Sequence, residues 1–541
     1  MFARVSALRG WRADLTALGL GALAAAALPP VYAIPVLWVA TPGLLALIDG
    51  AAGPATAARR GWWFGFGHNL LGLYWITEAI LFEAARFWWL VPLAVPALAA
   101  VMAVFIAAPA ALARLAGRGW PRVLTLAGGW VLADLARQFI ATGFPWNPWG
   151  SVWEIPGRAG DVMIQPAAWL GAPGLTFLTV LLSGLPRLGR RGWIASVVAV
   201  AGWAAVGFAR LQAPLPPASG LQVILVQGNV PQGQKWDRAF VIQVFDRYLN
   251  LTRQGVADTG GKPAVVVWPE TASPFLLQTD GAARTAIAAA AGGAPSLVGA
   301  VRFDRDNRPR NSLFAIMPDG ALANRPMAGD VAGVAAGKAE NGGANEGDAP
   351  KAADDNPAGI YDKWHLVPFG EYEPGWFPAP IQVVPGGGFQ PGPGPRTLHI
   401  PGLPPVGPLI CYEAIFPGQV VDEHDRPTWM VNITNDAWFG NSTGPRQHLA
   451  AARLRTVEEG LPLVRAANTG ISAAFDPRGH EVARLGMGRT GDLIVALPPA
   501  LPPTLFARFG LLIPALMGVV ALALGLAGSW RRCVRLNTGQ N

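Results

Sequence analysis

Apolar positions fall along this chain in two rhythms. From the N-terminus to about residue 210 they form long blocks, near 13–28, 31–49, 61–82, 88–113, 121–140, 166–185 and 192–210, with one more at about 507–528. Blocks of that length predict membrane-spanning helices, about eight in all. The first is short and ends in Pro29-Pro30, and the fifth carries Asp134 and Arg137. Past Pro214-Leu215-Pro216-Pro217 the rhythm shortens to β-branched runs separated by helical stretches. Strands are expected at 221–227, 264–268, 296–301, 312–317, 408–411, 429–433, 463–466 and 472–475, and helices at 237–256, 280–291 and 444–459. Alternation of that kind predicts a layered α/β domain with a fully buried sheet. Three units follow: a membrane domain at 1–212, an extramembrane domain at 213–503, and a last span with its tail at 504–541.

Composition and charge then fix the setting. Hydrophobic residues make up 52% of the 541, charged residues only 14%, and there are 22 tryptophans. That balance is too apolar for an ordinary soluble enzyme. A formal charge of +8 raises nucleic acid as a partner, but the arginines flank the apolar blocks, where membrane topology places them. Arg4, Arg9 and Arg12 precede the first block, Arg59 and Arg60 follow the second, and Arg114, Arg118 and Arg122 follow the fourth. Arg187, Arg190 and Arg191 follow the sixth, and Arg531, Arg532 and Arg535 follow the last, while the alternate loops hold only Arg86 and Arg158. Both termini are therefore expected in the cytoplasm and residues 211–506 outside it. The basic, then apolar, then alanine-rich start has the features of a secretory signal, but it runs on into further blocks, so an uncleaved span is expected. Cys411 and Cys533 fall on opposite sides of the membrane and cannot pair within one chain, and no Cys/His cluster has metal-site spacing.

Two segments stand apart from both rhythms. Residues 327–359 are built from Gly, Ala, Asn, Asp and Lys, with almost no large apolar side chain, and read as a disordered insertion. Residues 384–395, rich in Pro and Gly, read as a loop, a candidate lid around Phe389. The loop Gly143-Phe144-Pro145-Trp146-Asn147-Pro148-Trp149-Gly150 has two readings, an aromatic belt at the interface or a lip for a lipid chain.

Three ionisable residues stand at the ends of apolar runs. Val265-Val266-Val267-Trp268-Pro269 leads to Glu270, Lys363 lies among aromatics in Tyr361-Asp362-Lys363-Trp364-His365, and Pro408-Leu409-Ile410 delivers Cys411. A free thiol of pKa about 8.5 needs a base to act as nucleophile. A carboxylate in a partly apolar pocket can serve, and an ammonium can stabilise an oxyanion. Each residue alone has a structural alternative: a helix-capping carboxylate, a surface charge, a small core hydrophobe.

Taken together in the order Glu, Lys, Cys, these segments resemble the nitrilase (carbon–nitrogen hydrolase) superfamily. A domain of that kind, set between the penultimate and last membrane spans, resembles the apolipoprotein N-acyltransferases. Val226-Gln227-Gly228-Asn229-Val230-Pro231-Gln232 with Lys235-Trp236-Asp237 carries the likeness, as do 363–373, Cys411-Tyr412-Glu413, 432–440 and 465–472. The insertion at 327–359 is a departure. The resemblance implies an αββα sandwich on the outer face of a bacterial inner membrane, with no cofactor, and a monomer. It implies a phospholipid as acyl donor, a diacylglyceryl-prolipoprotein as acceptor, membrane lipids as surroundings, and no nucleic acid. Cys411 would be the nucleophile, Glu270 the base and Lys363 the oxyanion stabiliser. Glu371 would support Lys363, and Trp236, Tyr412, Glu413 and Trp438 would line the site.

Two other classes fit parts of the pattern. A membrane-tethered amidase would use the same three residues with water in place of an amine. A transporter would use polar groups at mid-bilayer depth, for which His68, Asn69, Glu78, Asp134 and Arg137 are the candidates.

Overall fold

The structure is a computed structural model describing residues 2–81, 84–235, 239–323, 359–375 and 388–537. Trp236, the insertion up to residue 358, and residues 384–387 of the second loop lie outside the described residues. Each apolar block meets a helix: Gly10–Ala25, Leu37–Asp49, Pro54–Gly72, Val91–Leu115, Trp120–Phe139, Ala167–Gly184, Arg190–Gln212 and Leu512–Asn537. The third departs from expectation. It starts earlier and stops at Gly72, whose carbonyl accepts from Asn147 Nδ2 at 3.0 Å, and the chain resumes as a short helix, Ile76–Leu81. Among the described residues three helices are long and apolar enough to cross a membrane: Trp88–Leu115, Ala167–Leu188 and Arg190–Gln212. The helices interlock closely where glycine allows it. A Cβ at Gly21 would lie 1.8 Å from the Phe64 carbonyl oxygen, so Gly10–Ala25 and Pro54–Gly72 meet backbone to backbone.

Beyond Gln212 the chain builds two sheets. The strands are β1 (Gln222–Gln227), β2 (Ala264–Val267), β3 (Ser296–Phe303), β4 (Pro309–Ile316), β5 (Ile360–Asp362), β6 (Val406–Ile410), β7 (Trp429–Thr434), β8 (Leu463–Ala467), β9 (Ser472–Phe475), β10 (Glu481–Leu485) and β11 (Gly491–Ala496). One sheet runs β11-β1-β2-β3-β4-β5 and the other β10-β9-β8-β7-β6. In the first, β1 pairs parallel with β2 and β2 with β3; in the second, β6, β7 and β8 are mutually parallel.

The alternation of side chains sorts the core into layers. Val223 and Leu225 face Val431, Ile433 and Val464 between the sheets. Ile224 and Val226 face the helices Val241–Asp258 and Gly281–Ala290 on one outer side, while Met430 and Leu463 face helix Gly444–Glu459 on the other. That is an αββα sandwich. Strands β5, β10 and β11 lie outside the expected set. The first is three residues long beside the insertion, and the other two mix Glu481, Arg484 and Asp492 into partly exposed runs.

Helix Gly444–Glu459 joins the two halves. Its sequence is polar, yet nearly every residue is buried, because the sheet covers one side and the helical bundle the other, where Leu454 and Val457 enter the bundle's core. Arg453 pairs with Asp161 at 2.7 Å, and Gln447 accepts from Trp146 Nε1 at 2.9 Å. Two further bonds tie the segment after β6 to the aromatic loop and its approach: Tyr412 OH to the Gly143 carbonyl and Gln138 Nε2 to the Pro417 carbonyl, both 2.9 Å.

Candidate active site

Strand ends at one edge of the sandwich deliver the polar groups, as parallel sheets commonly do. Glu270 follows β2, Lys363 follows β5, Cys411 follows β6, and Asn435 and Asp436 follow β7. The turn at Cys411 is tight. Its φ is +50°, a region that costs a non-glycine residue on the order of 1–3 kcal/mol. It holds because Glu413, fully buried, reaches back to accept from Ile410 N at 2.6 Å, and because His448 Nε2 lies 2.9 Å from the Cys411 carbonyl oxygen.

Lys363 is the centre of the charge arrangement. Its Nζ donates to Glu270 Oε1 at 3.1 Å and to Glu371 Oε1 at 2.9 Å, and only 1% of the residue is exposed. Asn311 Nδ2 bridges the same two oxygens, at 2.7 and 3.1 Å. Two donors thus face two carboxylates. An ammonium has three protons, and these two contacts use two of them. The other Glu270 oxygen accepts from Asn435 N at 2.9 Å, and Lys235 Nζ donates to the Glu270 carbonyl at 2.9 Å.

Burial and charge set the protonation states. Burial alone would raise Glu270, but Lys363, Lys235 and the Asn311 hydrogen bond outweigh it, and its pKa ends below the usual range. Burial works against the Lys363 ammonium too, yet Glu270, Glu371 and Cys411 together hold its pKa well above normal. Burial, and then the Glu270 charge, push the Cys411 thiol up, against the pull of Lys363. Burial lowers Lys235 to about 8. The resting site therefore holds a carboxylate, an ammonium and a neutral thiol. A thiol in that state needs a base before it can act as a nucleophile, and Glu270 is the carboxylate whose charge acts on it.

A second buried network lies behind the thiol. His448 Nδ1 is 2.9 Å from Asp436 Oδ1, and Arg465 Nη2 donates to Asp436 Oδ2 at 2.8 Å. Against the opposing effect of burial, Arg465 and His448 hold Asp436 at about 2. Burial first and the Arg465 charge second lower His448, against the pull of Asp436; its Nε2 faces the Cys411 carbonyl, and its Nδ1 faces both Asp436 Oδ1 and Arg465 Nη2, the latter at 3.1 Å.

Sequence-expected residues thus fall into three groups. Glu270, Lys363, Glu371 and Cys411 come together. Glu413 is fully buried beneath the turn, its oxygens taken by Ile410 N, Trp364 N and Tyr361 OH, and Tyr412 points to the membrane half. Trp438 is partly exposed on the turn Asp436–Phe439, and Trp236 lies outside the described residues. Asn311 and His448 are not among the sequence-expected residues. Asn311 sits one residue before an expected strand, and His448 sits in an expected helix with no apolar run leading to it. Phe389, on the described part of the second loop, is joined through its N–H to the Glu371 carbonyl at 2.9 Å.

A two-sheet sandwich with glutamate, lysine and cysteine at its strand ends defines a nitrilase-type hydrolase domain, and residues 225–501 match the family described as carbon–nitrogen hydrolase. Residues 20–185 match the apolipoprotein N-acyltransferase N-terminal domain. Proteins named apolipoprotein N-acyltransferase from Rhodopseudomonas palustris and Bradyrhizobium diazoefficiens are 38% and 39% identical to the chain, each alignment covering 96% of it and 95% of the relative. The chain belongs to the apolipoprotein N-acyltransferase family. Among solved structures, an amidase from Nesterenkonia sp. is 16% identical with a TM-score of 0.35, covering 53% of this chain and 93% of that one, a likeness too loose to bear on the argument.

Proposed function

We propose that the protein moves an acyl chain from the sn-1 position of a phospholipid to the α-amino group of a lipoprotein's diacylglyceryl-cysteine, through a thioester on Cys411. In the first half-reaction the Cys411 sulfur bonds to the ester carbonyl carbon as Glu270 takes the thiol proton. Lys363 stabilises the oxyanion, the ester C–O bond breaks, and Glu270 returns the proton to the leaving oxygen, releasing a lysophospholipid. In the second, the neutral amine attacks the thioester carbon, its proton passes through Glu270 to the departing sulfur, and the thiol is restored. One nucleophile serving two substrates in turn predicts ping-pong kinetics.

The observation that carries this reading is Lys363 Nζ, saturated on two sides by Glu270 and Glu371, beside a neutral buried thiol on a strained turn. The membrane half has a matching role. Both substrates carry acyl chains, each buried methylene contributing about 0.8 kcal/mol, so the thiol has to work at the bilayer surface. In this reading all eight long helices cross a bacterial inner membrane, both termini are cytoplasmic, and a periplasmic domain at about 213–503 holds the site of a monomer. The loop around Trp146, packed against Trp75 and Phe439, then acts as the lip over which an acyl chain enters.

The test is intact-mass analysis of the purified chain incubated with phospholipid. A fatty-acyl adduct on Cys411 is expected, absent in Cys411→Ala and cleared by a diacylglyceryl peptide. An adduct that persists in the alanine variant ends this mechanism.

A further inference from the structure

Away from the catalytic centre, a cavity of about 360 Å³ opens where three helix ends meet: the start of Ala167–Gly184, the end of Arg190–Gln212 and the short helix Leu505–Phe509. Its walls include Trp169, Arg210, Leu501, Thr504, Leu505 and Arg508, and among the described residues no carboxylate lines it. Arg210 is held on one side by the Gln165 amide oxygen and lies 6.0 Å from the Trp169 ring centroid. Arg508 is exposed. Leu505 and Phe509 beside it are also exposed, at 46% and 53%.

The cavity is not an extension of the thiol site. The Gly460 carbonyl accepts from Leu501 N at 2.8 Å and the Glu458 carbonyl accepts from Thr504 Oγ1, so this wall is pinned to the C-terminal end of helix Gly444–Glu459. His448, which touches Cys411, lies ten residues earlier, about 15 Å along the axis at the usual rise.

We infer that this cavity binds the phosphodiester headgroup of a membrane phospholipid, as a peripheral site separate from the acyl-donor position. Two guanidinium groups with no carboxylate in the lining favour an anion, and the planar fork of arginine suits phosphate oxygens. The three helix ends place the cavity at one end of the bundle, at headgroup depth if the helices span a bilayer. Exposed Leu505 and Phe509 there present apolar surface to acyl chains, and Trp169 is the amphipathic type found at that level. A volume of about 360 Å³, against about 30 Å³ for each liquid water, accommodates a glycerophosphate group. The inference rests on the membrane-spanning reading and not on acyl transfer.

The full-length Cys411→Ala protein, used so that any reaction through the thiol does not consume the lipid, is titrated in detergent with phosphatidylglycerol and followed by native mass spectrometry. Arg210→Gln/Arg508→Gln is expected to lose one bound lipid, its apparent Kd rising at least tenfold, with diacylglycerol binding neither protein at that site. Arg508→Gln alone, a change at an exposed residue, should raise Kd by a few-fold and guards against a misfolded double variant. Unchanged lipid retention in both variants overturns the assignment, as does equal binding of diacylglycerol. Inorganic phosphate alone, binding as tightly as the lipid, would overturn the lipid assignment in favour of a free-anion site.

Discussion

Replacing Lys363 with methionine separates what the ammonium does for the fold from what it does for the reaction. At an effective dielectric of about 20, each of its two contacts near 3 Å corresponds to about 5 kcal/mol of gross attraction. Much of that offsets desolvation, and removing one partner of a buried pair usually costs about 3–5 kcal/mol, because a charge is left uncompensated. Here two carboxylates would be left, with Asn311 Nδ2 their remaining shared donor. Lys363→Met should therefore melt about 5–10 °C lower by differential scanning fluorimetry in detergent. Loss of the third proton, the one free for an oxyanion, should slow thioester formation by about 10²–10³. Adding Glu371→Gln removes one orphaned charge, so the double variant should regain part of the melting temperature and none of the rate. A Lys363→Met protein that still forms the Cys411 thioester within about tenfold of the parent would refute the oxyanion role.

Other expectations follow from the same geometry. Burial first and Glu270 second raise the Cys411 pKa, so Glu270→Gln should lower it; iodoacetamide should then alkylate Cys411 faster near pH 8 while acyl-enzyme formation from phospholipid collapses. Slower alkylation would show that the carboxylate does not act on the thiol as described. His448→Phe removes the donor to the Cys411 carbonyl and should slow acyl-enzyme formation about tenfold, with His448→Asn restoring part of it. If phenylalanine and asparagine behave alike in single-turnover acylation, the hydrogen bond has no positioning role. Tyr412→Phe loses the bond to Gly143 across the seam and should cost about 0.5–1.5 kcal/mol, read as a melting point a few degrees lower.

Much of the sandwich was legible because its central strands are written as continuous apolar runs, such as Val265-Val266-Val267 and Pro408-Leu409-Ile410, which have little choice but to be buried. Glu270 and Cys411 were legible for a related reason, since a polar residue at the end of such a run has to emerge at the sheet's edge, whereas Lys363 follows the unexpected strand β5 and stands out only by its aromatic neighbours. The partners were harder to see. Asn311 emerges from β4 as one polar residue in a strand that starts Pro309-Arg310, so nothing in its surroundings sets it apart. The Asp436–His448–Arg465 network is assembled only because three separate elements converge on it, and no spacing along the chain brings those residues together. Helix Gly444–Glu459 shows the limit most plainly. Its polar sequence has no apolar stripe, since it satisfies Arg453 and Gln447 through the membrane half rather than through water.

That helix also decides what can be exchanged between such molecules. A graft that moved only the sandwich onto another membrane anchor would carry Leu454 and Val457 away from their cover and leave Arg453 without Asp161. Through Gln447 and its neighbour His448, the same cut would loosen the support behind Cys411. The transferable part is the sandwich together with the loop from Gly143 to Gly150 and the helices that hold it, and a hybrid assembled at any narrower boundary should be poorly soluble before it is inactive.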